Sequence, residues 1–126
     1  MRMTHLIPML PVGNLDTSIR FYQRLGFAIE QRRDDWGWAM LRAGDCRLML
    51  DRSINTQPSA VRQSVIYLYL DDLASFHRQL KAGGLSVPDT EVTFYDMQEF
   101  RLEDPDGNRL WIGQEKSVAP PAVSVK

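Results

Sequence analysis

Arg47-Leu48-Met49-Leu50 and Arg109-Leu110-Trp111-Ile112 are one strand written twice, 62 residues apart, and the repetition reaches back through everything before them. Asn14-Leu15 recurs as Asp72-Leu73, and Gly26-Phe27 as Gly84-Leu85, both at an offset of 58. A small insertion in a second-half loop accounts for the change of offset. Duplication fixes the architecture and names equivalent positions before any single element is assigned.

Working outward, residues 5–12 read as a first strand, at a sheet margin because Pro8 and Pro11 cannot donate to a ladder. Asn14 caps a helix whose apolar stripe is Leu15, Ile19 and Tyr22 and whose end is Gly26. Strands follow at 27–33, 36–42 and 45–51, with Ala43-Gly44 as the hairpin turn. The second half repeats the order: a strand at 63–71, an Asp72-capped helix carrying Leu73, Phe76 and Leu80 to Gly83-Gly84, then strands at 86–94, 97–103 and 108–114. Asp104-Pro105-Asp106-Gly107 turns the last hairpin. The reading is α+β, two βαβββ modules in tandem over 5–52 and 63–115, joined by a linker at 53–62. Together they make one domain over 1–117, and residues 118–126 are expected to be disordered.

Composition narrows the function. A formal charge of −1 from 15 basic and 16 acidic residues gives no broad attraction to nucleic acid or an anionic membrane. One cysteine, Cys46, excludes an intrachain disulfide and fits a reducing compartment. No apolar run approaches the roughly 18 residues of a membrane span. Patterned sequence begins too soon after Met1 for a signal peptide, so the expected location is the cytoplasm.

Strand alternation then sorts the side chains. Leu6, Leu10, Val12, Leu48 and Leu50, with Ile66, Leu68, Leu70, Leu110 and Ile112, belong against the helices, and Cys46 falls on that side as a small buried hydrophobe. The opposite face receives His5, Ile7, Met9, Arg47, Met49, Asp51, Val65, Tyr67, Tyr69, Arg109 and Trp111. A turn at Ala43-Gly44 pairs Trp38 with Met49 and adds Trp36, Trp38 and Met40; the repeat adds Phe100 and Leu102. Aromatic and methionine walls with few polar fixtures suit a small-molecule cleft. His77, among polar helix residues, is expected to be solvated.

Pro11-Val12-Gly13-Asn14-Leu15-Asp16-Thr17-Ser18, then Phe21-Tyr22 and Leu25-Gly26-Phe27, resembles the opening signature of the glyoxalase/bleomycin-resistance/dioxygenase (vicinal-oxygen-chelate) superfamily. Leu70-Asp71-Asp72-Leu73 and Asp104-Pro105-Asp106-Gly107-Asn108 resemble its later landmarks in the right order. The resemblance implies two modules whose sheets curl around a shared cavity, in a homodimer. In metal-dependent members, His, Glu or Gln side chains from the first and fourth strands of each module hold a divalent ion. The matching positions here are Ile7, Met49, Val65 and Trp111. None offers an imidazole, carboxylate or thiolate donor, so the expectation is no metal and no other cofactor.

Among family members the chain is most similar to the metal-free bleomycin-resistance type, which sequester a drug. Tyr95-Asp96-Met97-Gln98-Glu99-Phe100 and the paired tryptophans of Asp34-Asp35-Trp36-Gly37-Trp38 carry that likeness. A charge near zero departs from the acidic surface of members that bind a cationic drug, and points away from bleomycin itself as the ligand. The reading is a metal-free binding protein for an aromatic or amphipathic ligand, dimeric, leaning away from an enzyme and with no catalytic residue assigned. Trp36, Trp38, Met49, Tyr67, Tyr95, Met97, Phe100 and Trp111 would supply apolar contact, and Arg47, Glu99 and Arg109 polar selection. Two alternatives stay open. One is a metal-dependent lyase, dioxygenase or thiol transferase using His5, Asp51 and Glu99. The other is a structural dimer whose own side chains plug the cavity.

Overall fold

A computed structural model describes residues 1–116; the tail expected at 118–126 lies outside them. Two compact units emerge. The first comprises Met1–Gln63 with Glu103–Asn108, the second Ser64–Leu102 with the chain from Arg109.

In the first unit, β1 (Met9–Pro11), α1 (Leu15–Arg24), β2 (Ala28–Arg33), β3 (Trp38–Ala43) and β4 (Cys46–Asp51) form a helix on a sheet of order β1-β4-β3-β2. β1 runs parallel to β4 and the remaining pairs are antiparallel. Asn14 caps α1, its side chain accepting the Thr17 N–H at 2.9 Å. At the other end Gly26 takes φ 102° and the Phe27 N–H bonds back to the Tyr22 carbonyl. Only a residue without Cβ takes that left-handed turn without strain, which is why the helix stops there. Leu15, Ser18, Ile19 and Tyr22 are buried, as are Leu10, Ala39, Leu41, Leu48 and Leu50. Burial alternates along β3 and β4 because one face of this sheet meets the helix.

The turn after β7 also belongs to this unit. Buried Asp104 receives the Tyr22 hydroxyl at 2.7 Å, the Asn108 side-chain amide at 2.8 Å and the backbone N–H groups of Asp106 and Asn108. Asp106 accepts the Gly13 N–H at 2.9 Å, and Asn108 donates to the Pro11 carbonyl. The Asp-Pro-Asp-Gly-Asn landmark is therefore a polar clamp on the chain around β1 and α1. Its buried groups are all satisfied, as burial requires.

The second unit repeats the design with β5 (Val65–Tyr69), α2 (Leu73–Ala82), β6 (Glu91–Val92), β7 (Met97–Glu103) and β8 (Arg109–Glu115), in sheet order β5-β8-β7-β6. Asp72 caps α2 by accepting the Ser75 N–H, and Gly84 at φ 88° ends it. Tandem βαβββ topology is thus as the repeat predicts.

Several boundaries are corrected. The first strand starts at Met9 rather than residue 5, and its two prolines limit it. Residues 86–94 yield only Glu91–Val92 as strand, since Pro88 cannot enter a ladder. The β3–β4 turn is Gly44-Asp45, with Gly44 at φ 59°, and pairs Trp38 with Asp51 and Met40 with Met49. That register is two residues from the expected one, so every side chain keeps its face. Cys46 is exposed, because it stands beside this turn. Trp36 sits in the turn before β3, not in the strand. His77 is half-buried, bonded to the Pro88 carbonyl at 2.8 Å and packed edge-on against Phe100.

Candidate functional site

Gly107 decides which β7 side chains reach the free face of the second sheet. Its φ of 80° completes a three-residue turn, Pro105-Asp106-Gly107, closed by the Asp104 N–H donating to the Asn108 carbonyl at 2.9 Å. The equivalent first-module turn has two residues. One extra residue reverses the alternation of β7 relative to its repeat, because the side-chain period is two. Counting back from the Asp104–Asn108 pair sets Arg101 opposite Trp111, and the Arg101 guanidinium lies 3.5 Å over that ring. Met97, Glu99 and Arg101 therefore share a face with Tyr67 and Trp111. Phe100, expected on that face, packs instead against Phe76 and His77 of α2 and is 2% exposed.

Glu99 anchors the cluster. Although 3% exposed, its carboxylate accepts the Tyr95 hydroxyl at 2.6 Å and the Tyr67 hydroxyl at 2.8 Å on Oε1, and Arg101 Nε at 2.7 Å on Oε2. Burial pushes its carboxyl up, but the hydrogen bonds from Tyr95, Arg101 and Tyr67 outweigh this and hold it below the usual range. Burial, then the bond to Glu99, drives the Tyr67 phenol up; the bond to Glu99 does so for Tyr95. Both phenols are neutral donors and Glu99 is an anion at neutral pH. Tyr67 also lies 6.4 Å from Trp111 and 4.8 Å from Tyr69, ring centre to ring centre. Gly113 leaves the space that the Tyr67 hydroxyl fills: a Cβ there would stand 2.5 Å from it.

Beside this cluster a pocket of about 320 Å³ is lined by Glu91, Val92, Phe94, Tyr95, Glu99 and Arg101, among others. The β6–β7 turn shapes its rim. Thr93 bonds both ways with Met97, and Asp96 takes φ 65°, a conformation aspartate tolerates better than most residues. Phe94, at the tip of this turn, is 99% exposed. The expected strand over 86–94 ended on this residue and gave it no role; it lies instead in the turn after β6, its ring edge-on to Tyr95 at 5.0 Å.

The remaining expected residues lie in the first unit, apart from Arg109. Trp36 is 57% exposed and lies 5.9 Å from Trp38 and 4.1 Å from the Arg33 guanidinium. Met49 pairs with Met9 and Met40 on the free face of that sheet. Arg47 donates to Glu30 at 2.9 Å, the residue left over at the β2 bulge. Asp51 accepts from Ser53. Arg109, opposite Val65, sits 5.9 Å from the Trp111 ring. Ile7 precedes β1, so the ladders set Met9 against Met49 and Tyr67 against Trp111. Neither pair, nor Ile7 or Val65, has the donors a divalent ion requires. Among the described residues, no three of His, Cys, Asp or Glu converge. Nor, among them, is any helix long and apolar enough to cross a membrane.

Comparison with known proteins agrees with this architecture. Residues 2–112 match the model of the glyoxalase/bleomycin resistance protein/dioxygenase superfamily. A bleomycin resistance protein of Klebsiella pneumoniae is 36% identical over 120 residues, covering 89% of this chain and 93% of its own. The structure of a bleomycin resistance determinant encoded on transposon Tn5 is similar with a TM-score of 0.77 and 32% identity, over 90% of this chain and 99% of that one. A bleomycin-binding protein complexed with bleomycin gives 0.73 and 33%, over 89% and 98%. With its duplicated topology, its turn motif and these matches, the chain belongs to the glyoxalase/bleomycin resistance protein/dioxygenase superfamily.

Proposed function

We propose that this protein binds and sequesters an aromatic or amphipathic small molecule, without a metal and without chemistry of its own. The observation that carries the reading is the second unit's free face. There Trp111, Tyr67 and Tyr95 stand around a carboxylate whose partners are all donors within the same unit. Such a surface offers stacking area and fixed polar groups. Of the donors an enzyme of this family would need, His5 is exposed ahead of β1 and Asp51 is engaged with Ser53. Glu99 is held by three partners. Kinship with a protein solved in complex with bleomycin supports antibiotic binding as the role. Trp36, Trp38, Met49, Met97, Arg47 and Arg109 are the further contacts of this proposal, and Phe94 joins them.

The proposal includes a homodimer working in the cytoplasm, with the two modules acting as one domain over 1–117. Tyr69 and Phe94 support the dimer as large exposed aromatic groups. Thermal-shift screening against planar aromatic compounds, bleomycin among them, is the test. A true ligand binds only folded protein and raises the melting temperature. Replacing Trp111 by alanine abolishes that rise if it forms the platform. A panel without any shift would end the binding reading. The plugged-dimer alternative has one observation behind it, the Arg101 guanidinium already lying over Trp111.

A further inference from the structure

The aromatic rings of the second unit's free face say nothing about the charge of what they bind; the polar groups between them do. Glu99 is not free to receive a cation. Both of its oxygens are engaged, by Tyr67, Tyr95 and Arg101 at 2.6–2.8 Å, and at 3% exposure the carboxylate presents almost nothing to a ligand ammonium. Arg101 is in the opposite condition. Its side chain is 51% exposed, its Nε is committed to Glu99, and its guanidinium carbon stands 3.5 Å from the centre of the Trp111 ring. Tyr95 is its other polar neighbour. A guanidinium has five N–H donors in a rigid fork, so with these two contacts made, donors remain on its Nη edge. A fork already oriented by an aromatic ring and a buried carboxylate loses little freedom when it receives a planar anion.

We infer that Arg101 is the specificity-determining residue of this face, and that it selects planar aromatic ligands bearing a carboxylate. The inference rests on the binding reading above and adds the ligand class to it. The ligand carboxylate pairs with the Nη edge of Arg101, and its ring packs against Trp111 and Tyr67. Asp89 and Glu91 line the same pocket as Arg101, and Glu91 stands opposite Glu99 on the β6–β7 ladder. These carboxylates repel an anion on the β6 side, so the ligand carboxylate reaches Arg101 from the β8 side, where Trp111 stands.

The test titrates the full chain with naphthalene-2-carboxylate, naphthalene-2-carboxamide and 2-naphthylmethylammonium, reading the assigned indole N–H signals of the three tryptophans by NMR. Wild type should bind the carboxylate about tenfold or more tightly than the amide, with the Trp111 indole moving most. In Arg101→Gln that preference should vanish, the carboxylate and the amide then binding within about twofold of one another. Arg101→Lys, which keeps the charge without the fork, should retain only part of it and guards against a folding defect in the first variant. Preference for the ammonium, an undiminished carboxylate preference in Arg101→Gln, or failure of the carboxylate to bind wild type would each overturn the inference. If the amide or ammonium still binds, the sequestering function stands with the wrong charge assigned. If none of the three binds, that function falls too.

Discussion

Replacing Glu99 by glutamine probes the keystone of the candidate site with almost no change of shape. Three hydrogen bonds now end on the carboxylate, and bonds to charged groups contribute about 1.5–3 kcal/mol each against about 0.5–1.5 for neutral ones. The two tyrosine bonds would weaken by about 1 kcal/mol each on losing the charge. Arg101 would face an amide N–H₂ instead of an oxygen anion. Its half-exposed side chain limits that loss to about 1 kcal/mol. Relief from burying a charge offsets part of the total, leaving about 2 kcal/mol, or about 8 °C in melting temperature for a chain of this size.

The assay is thermal unfolding by circular dichroism across pH. Because the folded Glu99 carboxyl is held below its ordinary value, its contribution is complete above the unfolded pKa of about 4.3. It is lost as pH falls through the depressed folded value. Wild type and Glu99→Gln should therefore differ at pH 7 and converge in acid. A gap under about 2 °C at pH 7, or one that persists undiminished at pH 3, would refute the account of Glu99 as the charged anchor.

Phe100→Ala should cost about 3–5 kcal/mol in urea unfolding, since Phe100 packs under α2; a loss under about 1 kcal/mol would show that it is not packed there. Gly113→Ala puts a Cβ 2.5 Å from the Tyr67 hydroxyl and 3.0 Å from the Gln98 carbonyl, so destabilisation of about 1–3 kcal/mol and a displaced Tyr67 are expected; an unchanged melting curve would show that the space is not filled as described. The phenols of Tyr22, Tyr67 and Tyr95 are raised, the first two chiefly by burial and the third by its bond to Glu99. Their share of stability is present below about pH 10 and lost as pH rises beyond it, so absorbance titration at alkaline pH should find them ionising together with unfolding; early ionisation of all three would contradict the geometry.

Residues close together in sequence were legible to the degree that local physics governs them. Asn14 and Asp72 cap helices because a short side-chain oxygen reaches the N–H three residues on, whatever the rest of the chain does. Gly26 and Gly84 end those helices because the left-handed turn excludes a Cβ. The facing of β3 and β4 was readable despite a misplaced turn, since a slip of two preserves alternation. Trp36 was misread because turn and strand differ by a hydrogen-bond pattern that two tryptophans in sequence do not reveal. Glu99, Tyr67 and Tyr95 were each picked out but not their pairing, since Tyr67 is 32 residues from Glu99 in the chain, and Arg101 was missed.

The sequence alone therefore determined the duplicated βαβββ order and the absence of metal donors at the family's ligand positions, because both follow from residue identity and spacing. Tertiary structure decided which side of β7 faces outward. One additional turn residue, with Gly107 in a left-handed conformation, inverts a period-two pattern and moves Arg101 over Trp111 while sending Phe100 beneath α2. Parity of that kind is fixed by which residues close the hairpin: the turn signal marks where the chain reverses, but only the Asp104–Asn108 hydrogen bond shows that the turn holds three residues.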